Sequence, residues 1–563
     1  MKNAELADIF MDLADMEEVE GNRWQSLAYR RVATALADLS EDIEEVWREG
    51  RLREIEGVGE AIEKKIDEYL RTGRMRKYEE MRKKYPEDFR TLRAIQGLGP
   101  RKIHALYTGA GIRDLETLKK AIEEHRVALV PGFGQKSEEK LAKALQYYMS
   151  TSAGRLLLAQ AHALATEILE AMRSSGLFER IEVAGSVRRR KETVGDLDFL
   201  CISADVPGAT RFFSSLPQVS GVVNSGERKG TWMLRAGITC DLRFIDRGSF
   251  GAALQYFTGS KSHNIALRNL AISKGLKLNE YGLFRGDEPI AGSDEEGIYR
   301  ALGLEYIVPE LREGTGEIEA AQSHSLPMLV EGNGILGDLH LHSDWSDGRD
   351  SLEAMVSAAA SMGYRYVCVT DHSASLRVAR GLDAARFRDR RVQLDMLSEK
   401  YGITVLDGVE AEIMPDGSMD PEVRGYRDFD FVVASMHQWV SDDASENTAR
   451  LIRAIDGGWP STIGHPTGRL IGTREQFRME WGEVFRACRD KGVALEINGT
   501  PHRSDLPWDL VLQARKAGVR FSLGSDAHST SEMRNMTYAV WIARRGWLTP
   551  SHVLNTSMVG RRQ

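Results

Sequence analysis

Apolar positions recur at steps of three and four along the start of the chain, through Leu6, Ile9, Phe10 and Leu13 and again through Leu27, Val32, Leu36 and Leu39. That rhythm predicts a run of amphipathic helices over roughly the first 150 residues. Farther on the pattern changes, and IEVAG, LDFLCIS and ITCDLRF predict strands. Beyond residue 332, strand-like runs alternate with helical ones: VCVTDH, ITVLDGVEAEI, FDFVVASMH, STIGHP, VALEINGT and VRFSLGSDAH. Such alternation predicts an α/β barrel-like domain with its site at the C-terminal ends of the strands.

Within the helical region a short pattern occurs three times: Ile55-Glu56-Gly57-Val58-Gly59, Ile95-Gln96-Gly97-Leu98-Gly99 and Val130-Pro131-Gly132-Phe133-Gly134. Paired glycines let the backbone turn tightly with no side chain in the way. The helix that follows then presents backbone N–H groups, which hold a phosphate without reading a base. The segment from Lys64 to Lys102 carries 13 basic residues against six acidic ones, a local positive surface suited to a DNA backbone.

The next signal is GSVRRRKETVGDLD, Gly185 to Asp198. Side chains alternate along a strand, so Asp196 and Asp198 share a face. Asp241, in ITCDLRF, completes a three-carboxylate set that can hold two Mg²⁺ or Mn²⁺ ions roughly 3.5–4 Å apart, clamping attacking and leaving oxygens. The Gly185-Ser186 turn offers backbone donors and a hydroxyl to phosphates, Arg189 can neutralise a leaving pyrophosphate, and Asp241 is the candidate general base.

The strands beyond residue 332 end in a different chemistry. His340 and His342 alternate on one strand, Asp347 follows in a Ser-Asp-Gly turn, and His372, Glu410, His437, His465, Asp526 and His528 close later strands. Six imidazoles and three carboxylates suit Zn²⁺, Mn²⁺ or Fe²⁺. Nine ligands exceed the capacity of one ion, so two or three metals are expected.

Composition changes this picture little. The chain has 563 residues, enough for three or four domains, with 42% hydrophobic and 28% charged residues. Its net charge of −8 confines any DNA-binding surface to local patches. Only three of the 20 lysines but eight of the 13 histidines lie beyond residue 332, which marks the last domain as a separate chemical unit. Four scattered cysteines, Cys201, Cys240, Cys368 and Cys488, exclude a disulfide framework. The acidic, amphipathic N-terminus is not a signal or transit peptide. No apolar run approaches the roughly 20 residues of a membrane span, so a cytoplasmic protein is expected.

Residues 1–315 resemble the family X, polymerase beta-like DNA polymerases. GSVRRRKETVGDLD looks like their nucleotidyltransferase motif, with Asp196, Asp198 and Asp241 on the metal-binding aspartates. Gly185, Ser186, Arg189 and Gly195 fall on the nucleotide-binding turn. Tyr256-Phe257-Thr258-Gly259-Ser260 resembles the thumb motif beside the incoming sugar, Asn264 the contact to the nascent base pair, and Arg268 a template contact. Lys261 stands where polymerase beta has an acidic residue. Gly57, Gly59, Gly97, Gly99, Gly132 and Gly134 match helix-hairpin-helix glycines. By register Lys65 is the candidate lyase lysine, or else a solvated lysine on a DNA-binding helix. Ala61 and Gln25 replace phosphate-binding lysines of polymerase beta.

The last domain resembles the PHP (polymerase and histidinol phosphatase) domain through DLHLHSDWSDG, TDHS, GVE, SMH, GHP and SDAH. The resemblance implies a manganese-dependent 3′→5′ exonuclease or a phosphoesterase with a 3′-end processing role. The expected organisation is multidomain, α+β and α/β. It comprises a helical N-terminal domain (1–85), helix-hairpin-helix fingers (86–150), a palm (151–248), a thumb (249–315), a linker (316–332) and a distorted PHP barrel (333–563). The expected substrates are gapped or primer-template DNA and dNTPs, for a monomeric repair enzyme. A template-independent nucleotidyltransferase and a DNA-end-binding scaffold with a structural PHP domain are the alternatives.

Overall fold

The computed structural model describes residues 2–559 except 38, 40–42, 56, 96, 152–153 and 427. Glu56 and Gln96, the second positions of the first two repeats, lie outside the described residues. The chain forms two compact units, Met1–Ala153 with Gly472–Glu475, and Gly154–Ile471 with Gln476–Gln563. No helix among the described residues is long and apolar enough to cross a membrane.

The first unit is helical. Helices α1 (Lys2–Glu20) and α2 (Arg23–Ala37) pack through Leu6, Phe10, Leu13, Tyr29, Val32 and Leu36. Leu27, expected on that stripe, is 52% exposed. The buried face of α2 runs through residues 29, 32, 33 and 36, and position 27 points about half a turn away from it. Each glycine repeat leads into a helix: α3 (Glu60–Thr72), α4 (Pro100–Ala110) and α5 (Gln135–Thr151).

In the second unit, α6 (Leu158–Ser174) precedes a five-stranded palm sheet. Its strands are β1 (Arg180–Val183), β2 (Asp196–Ile202), β3 (Val219–Ser225), β4 (Lys229–Leu234) and β5 (Thr239–Phe244), in the order β1-β2-β5-β4-β3. Leu197, Phe199, Trp232, Cys240 and Leu242 are fully buried beneath it. The one-turn helix α7 (Gly185–Arg188) joins β1 to the carboxylate strand. Thumb helices α8 (Phe250–Thr258) and α9 (Lys261–Ser273) follow, with a small antiparallel three-stranded sheet.

The stretch expected to be a linker, residues 316–332, belongs to its neighbours. Glu317–Gln322 is helical, Ile318 and Ala321 join the thumb core, and buried Glu317 accepts from His263 at 2.8 Å. Val330 enters the core of the following domain. Two buried apolar residues in six are too few for periodicity to reveal such a helix.

The last domain is a seven-stranded all-parallel sheet in sequence order: β6 (Gly337–Asp338), β7 (Tyr366–Val369), β8 (Thr404–Glu412), β9 (Phe431–Ser435), β10 (Thr462–Ile463), β11 (Ala494–Asn498) and β12 (Phe521–Gly524). The strands are buried on both faces, hence their near-continuous apolar runs. The two ends of the sheet meet: Leu341 bridges Ala527, and Asp526 N donates to His340 O at 2.9 Å. This pairing nearly closes a barrel. His340 and His342 therefore sit just past β6, on the opening segment that meets the end of the last strand, rather than within a strand. Helix α10 (Met536–Arg545) packs on the barrel core through Ala539, Val540 and Ala543.

Two candidate metal centres

In the palm, β2 and β5 run parallel with Asp198 opposite Asp241 and Asp196 opposite Thr239. All three carboxylates lie on these two adjacent inner strands of the sheet. Burial and then the neighbouring Asp196 push the Asp198 carboxyl up to about 6. Asp241 is already engaged by Thr231 Oγ1 at 2.6 Å, Lys229 Nζ at 2.7 Å and Arg243 Nη2 at 2.8 Å. Lys229 and Arg243 thus stand where a divalent cation would, and the crowded carboxylates of Asp196, Asp198 and Asp241 fit one. Protons compete for the same Asp198 oxygens, so the Mg²⁺ needed for half-maximal primer extension should rise as pH falls through about 6. Titrations of Mg²⁺ between pH 5 and 8 check this, and a flat profile contradicts it.

Gly185 is required twice over. Its φ is +63°, and a Cβ there would lie 2.7 Å from Asp198 Oδ2. Ser186 Oγ is buried with no hydrogen-bond partner, in place for an incoming acceptor. Gly195 lies against Arg155, whose Nη1 would be 2.8 Å from an added Cβ. Arg189 Nη1 donates to Thr258 O in the thumb, and its Nε donates to Glu313 at 3.2 Å. Gly259 (φ +68°) keeps the adjoining turn clear of that guanidinium.

Tyr256 and Phe257 meet edge to face at 5.1 Å, and Arg243 covers the Phe257 ring at 4.1 Å. Asn264 donates to Tyr256 O at 2.7 Å and accepts from Gln255 at 2.8 Å. Lys261 and Arg268 are exposed on α9.

The three glycine repeats fold alike. Gly57, Gly97 and Gly132 have φ of +80°, +90° and +88°. Val58, Leu98 and Phe133 N–H groups close the same turn onto Ile55, Ile95 and Val130 at 3.0, 3.1 and 2.9 Å. Gly59 and Gly99 cap α3 and α4 with no side-chain cap, and Gly134 O accepts the first bonds of α5. Each leaves helix N–H groups for an outside acceptor such as a phosphate. Lys65 Nζ donates to Ala61 O at 2.9 Å and lies 5.9 Å from the Tyr29 ring centre.

At the barrel's C-terminal mouth all nine expected residues converge around Glu410. Its Oε2 lies 3.3, 3.4 and 3.2 Å from nitrogens of His340, His342 and His372, and its Oε1 lies 3.2 and 2.8 Å from His437 and His465. Asp526 approaches His342 at 3.3 Å, and Asp347 lies 3.6 Å from His372 and 3.5 Å from His528. Three groups are compact enough to share an ion: His342-Asp347-His372-His528, His340-His342-Asp526 and His372-Glu410-His437. Nδ1 of His342 and of His372 is buried without a hydrogen-bond partner. That donor set fits two or three divalent cations.

The electrostatics are tightly shared. Burial opposes the charge of His437, yet Glu410 and Glu412 push it up to about 9. Burial, with His342 and His437 adding to it against Glu410, drives His372 down to about 3. A cleft of about 250 Å³ opens onto this cluster, with Arg503 on its wall.

Several supporting residues escaped the sequence reading. Glu496 accepts from His340 Nδ1 at 2.6 Å and Glu412 from His437 Nδ1 at 2.8 Å, fixing each ring so that Nε2 faces inward. Asp371 accepts from Ser343 N, Ser346 Oγ and Arg390, each at 2.8 Å, and so holds the loop bearing His342 and Asp347. The signals were present: Glu496 is a charge inside the apolar run VALEINGT, and Glu412 lies one pleat from Glu410. Glu496→Gln should weaken metal affinity by about 10–100-fold, read as a shift in the Mn²⁺ concentration needed for nuclease activity.

Comparisons with known proteins agree with this anatomy. Family profiles match as a helix-hairpin-helix domain over residues 1–75 and a SAM-like helix-hairpin-helix tandem over 89–146. A DNA polymerase beta thumb matches over 253–313 and a PHP domain over 338–500. These modules define a DNA polymerase joined to a metallohydrolase-type barrel.

The DNA polymerase/3'-5' exonuclease PolX of Bacillus subtilis is 36% identical over 483 residues, which cover 85% of this chain and 84% of that protein. A probable phosphatase of Vibrio parahaemolyticus is 30% identical over 40% of this chain and 90% of its own length. One from Thermoanaerobacter sp. is 27% identical over 39% and 90%. The chain belongs to the family X DNA polymerases that carry a C-terminal PHP domain.

Proposed function

We propose that the chain fills short gaps in DNA by adding nucleotides to a primer 3′ end at Asp196, Asp198 and Asp241, and removes 3′-terminal nucleotides at the barrel cluster. The observation that supports this reading is the presence, in one chain, of three aspartates on paired palm strands and nine imidazole and carboxylate residues converging at the barrel mouth. Mg²⁺ or Mn²⁺ at the palm would activate a primer 3′-OH and steady a pyrophosphate, and two or three Mn²⁺, Zn²⁺ or Fe²⁺ ions at the barrel would polarise a phosphodiester and activate water.

The side chains supply the rest. The hairpin turns at Gly57, Gly97 and Gly132 hold phosphates of gapped or primer-template DNA. Ser186 and Arg189 receive the dNTP triphosphate, with Lys261 at the start of α9 as a further cation. Phe257 and Tyr256 bound the sugar, and Asn264, held by Gln255, faces the nascent pair. With Lys229 and Arg243 on its oxygens, Asp241 can take a primer proton only after those cations withdraw. In the barrel, Arg503 stands 3.8 Å from Asp526 and is placed to draw a phosphate toward the cluster.

The test is a gel of 5′-labelled primer in gapped DNA with Mn²⁺ and no nucleotides, comparing wild type with His342→Ala. Shortening by wild type that the variant lacks supports a nuclease in the barrel. No shortening by wild type defeats that half of the proposal.

A further inference from the structure

Helix α10 belongs to the barrel, but one side of it faces the palm and thumb. Trp541 packs against the palm core and under the Arg190 guanidinium at 3.9 Å, and Arg544 pairs with Glu310 of the thumb at 2.9 Å. Arg545 reaches deepest. Its side chain is fully buried, rests 5.0 Å from the Trp508 ring centre, and donates through Nη1 to the Arg189 carbonyl at 2.6 Å. The same nitrogen lies 3.2 Å from Glu313 Oε1, the oxygen that also accepts from Arg189 Nε at 3.2 Å. One carboxylate therefore serves two guanidinium groups, one from the nucleotidyl-transfer motif and one from the barrel.

The charge around this junction is unbalanced. Arg188 and Arg312 share Glu295, just as Arg189 and Arg545 share Glu313. Four buried or nearly buried cations thus pair with two carboxylates, and a third, Glu192, acts on Arg545 without an ion pair to it. Nε and Nη2 of Arg545 and Nη2 of Arg312 have no hydrogen-bond partner. Excess buried positive charge is costly unless an anion completes it. Arg189 is the member of the set that lies against the Gly259 turn and belongs to the Gly185-Ser186 motif, with its side chain 12% exposed.

We infer that Arg545, a residue of the PHP barrel, is a positioning residue for nucleotide binding in the polymerase half. It fixes the Arg189 backbone and takes a share of Glu313, leaving Arg189 with charge to offer a triphosphate. Without Arg545, Glu313 pairs with Arg189 alone and cancels it. The inference rests on the reading of Arg189 as a phosphate contact.

Full-length Arg545→Met is compared with wild type in single-nucleotide gap filling across a dNTP series. The expected result is a KM for dNTP raised about tenfold, equal to about 1.4 kcal/mol, with kcat and Mn²⁺-dependent primer shortening unchanged. Adding Glu313→Gln to Arg545→Met should bring the KM back toward wild type, which repair of a packing defect would not do. An unchanged KM in Arg545→Met, beside a raised one in Arg189→Met, overturns the inference, as does a double variant no better than the single. An unchanged KM in Arg189→Met defeats the phosphate reading of Arg189 itself, and the inference with it. If Arg545→Met melts well below wild type, Glu313→Gln alone decides: an equal or lower KM for dNTP supports the inference, and a higher one overturns it.

Discussion

Glu410→Gln should reduce Mn²⁺-dependent shortening of a labelled primer by about a thousandfold or more while leaving primer extension within about twofold. Among the described residues, Glu410 is the side chain whose two oxygens reach five imidazoles, those of His340, His342, His372, His437 and His465. Glutamine keeps the shape but removes the charge, and it turns an NH₂ group toward nitrogens that must point lone pairs at a cation. The residue is 2% exposed, so water cannot make good the lost charge. The comparison is a time course with and without dNTPs, together with the metal content of the purified variant. Retention of more than about a tenth of the wild-type nuclease rate would contradict the central role given to this carboxylate.

The converse substitution separates the two halves. Asp198→Asn should lower primer extension by about a thousandfold or more and leave primer shortening in Mn²⁺ intact. Asp198 lies directly opposite Asp241 across the parallel pair, with Gly185 packed so close that no larger residue fits there. Asparagine can occupy the same space, so the sheet is preserved and the lost activity reports lost charge. If both activities fell together, the separation of polymerase and nuclease chemistry into two sites would be wrong.

Much of this architecture was readable in advance, for identifiable reasons. The three glycine repeats were legible because only glycine takes the φ of +80° to +90° that each turn uses. The three aspartates were legible because alternation along a strand puts residues two apart on one face, and neighbouring strands carry them. The barrel cluster was legible because most of its residues lie at or just past the C-terminal ends of strands, and a parallel sheet gathers such ends on one rim.

What stayed hidden depends on distance in the chain. Nothing local to Lys229 foretells its place on Asp241, and nothing near Arg545 foretells contact with Arg189. The helix at Glu317–Gln322 was hidden for another reason: its stability comes from the thumb surface it covers and from the buried His263–Glu317 pair, not from its own six residues.

The closing of the barrel carries a consequence for how the protein is made. His340 and His342 stand on the opening segment of the domain, and Asp526 and His528 on the closing one, and the two segments meet through the Leu341–Ala527 bridge. The cluster at the barrel mouth is therefore incomplete in any nascent chain that has yet to deliver β12 from the ribosome. The palm aspartates, by contrast, lie close together in sequence and early in it. A chain that ends before β12 lacks Asp526 and His528 and leaves the opening segment without its partner strand.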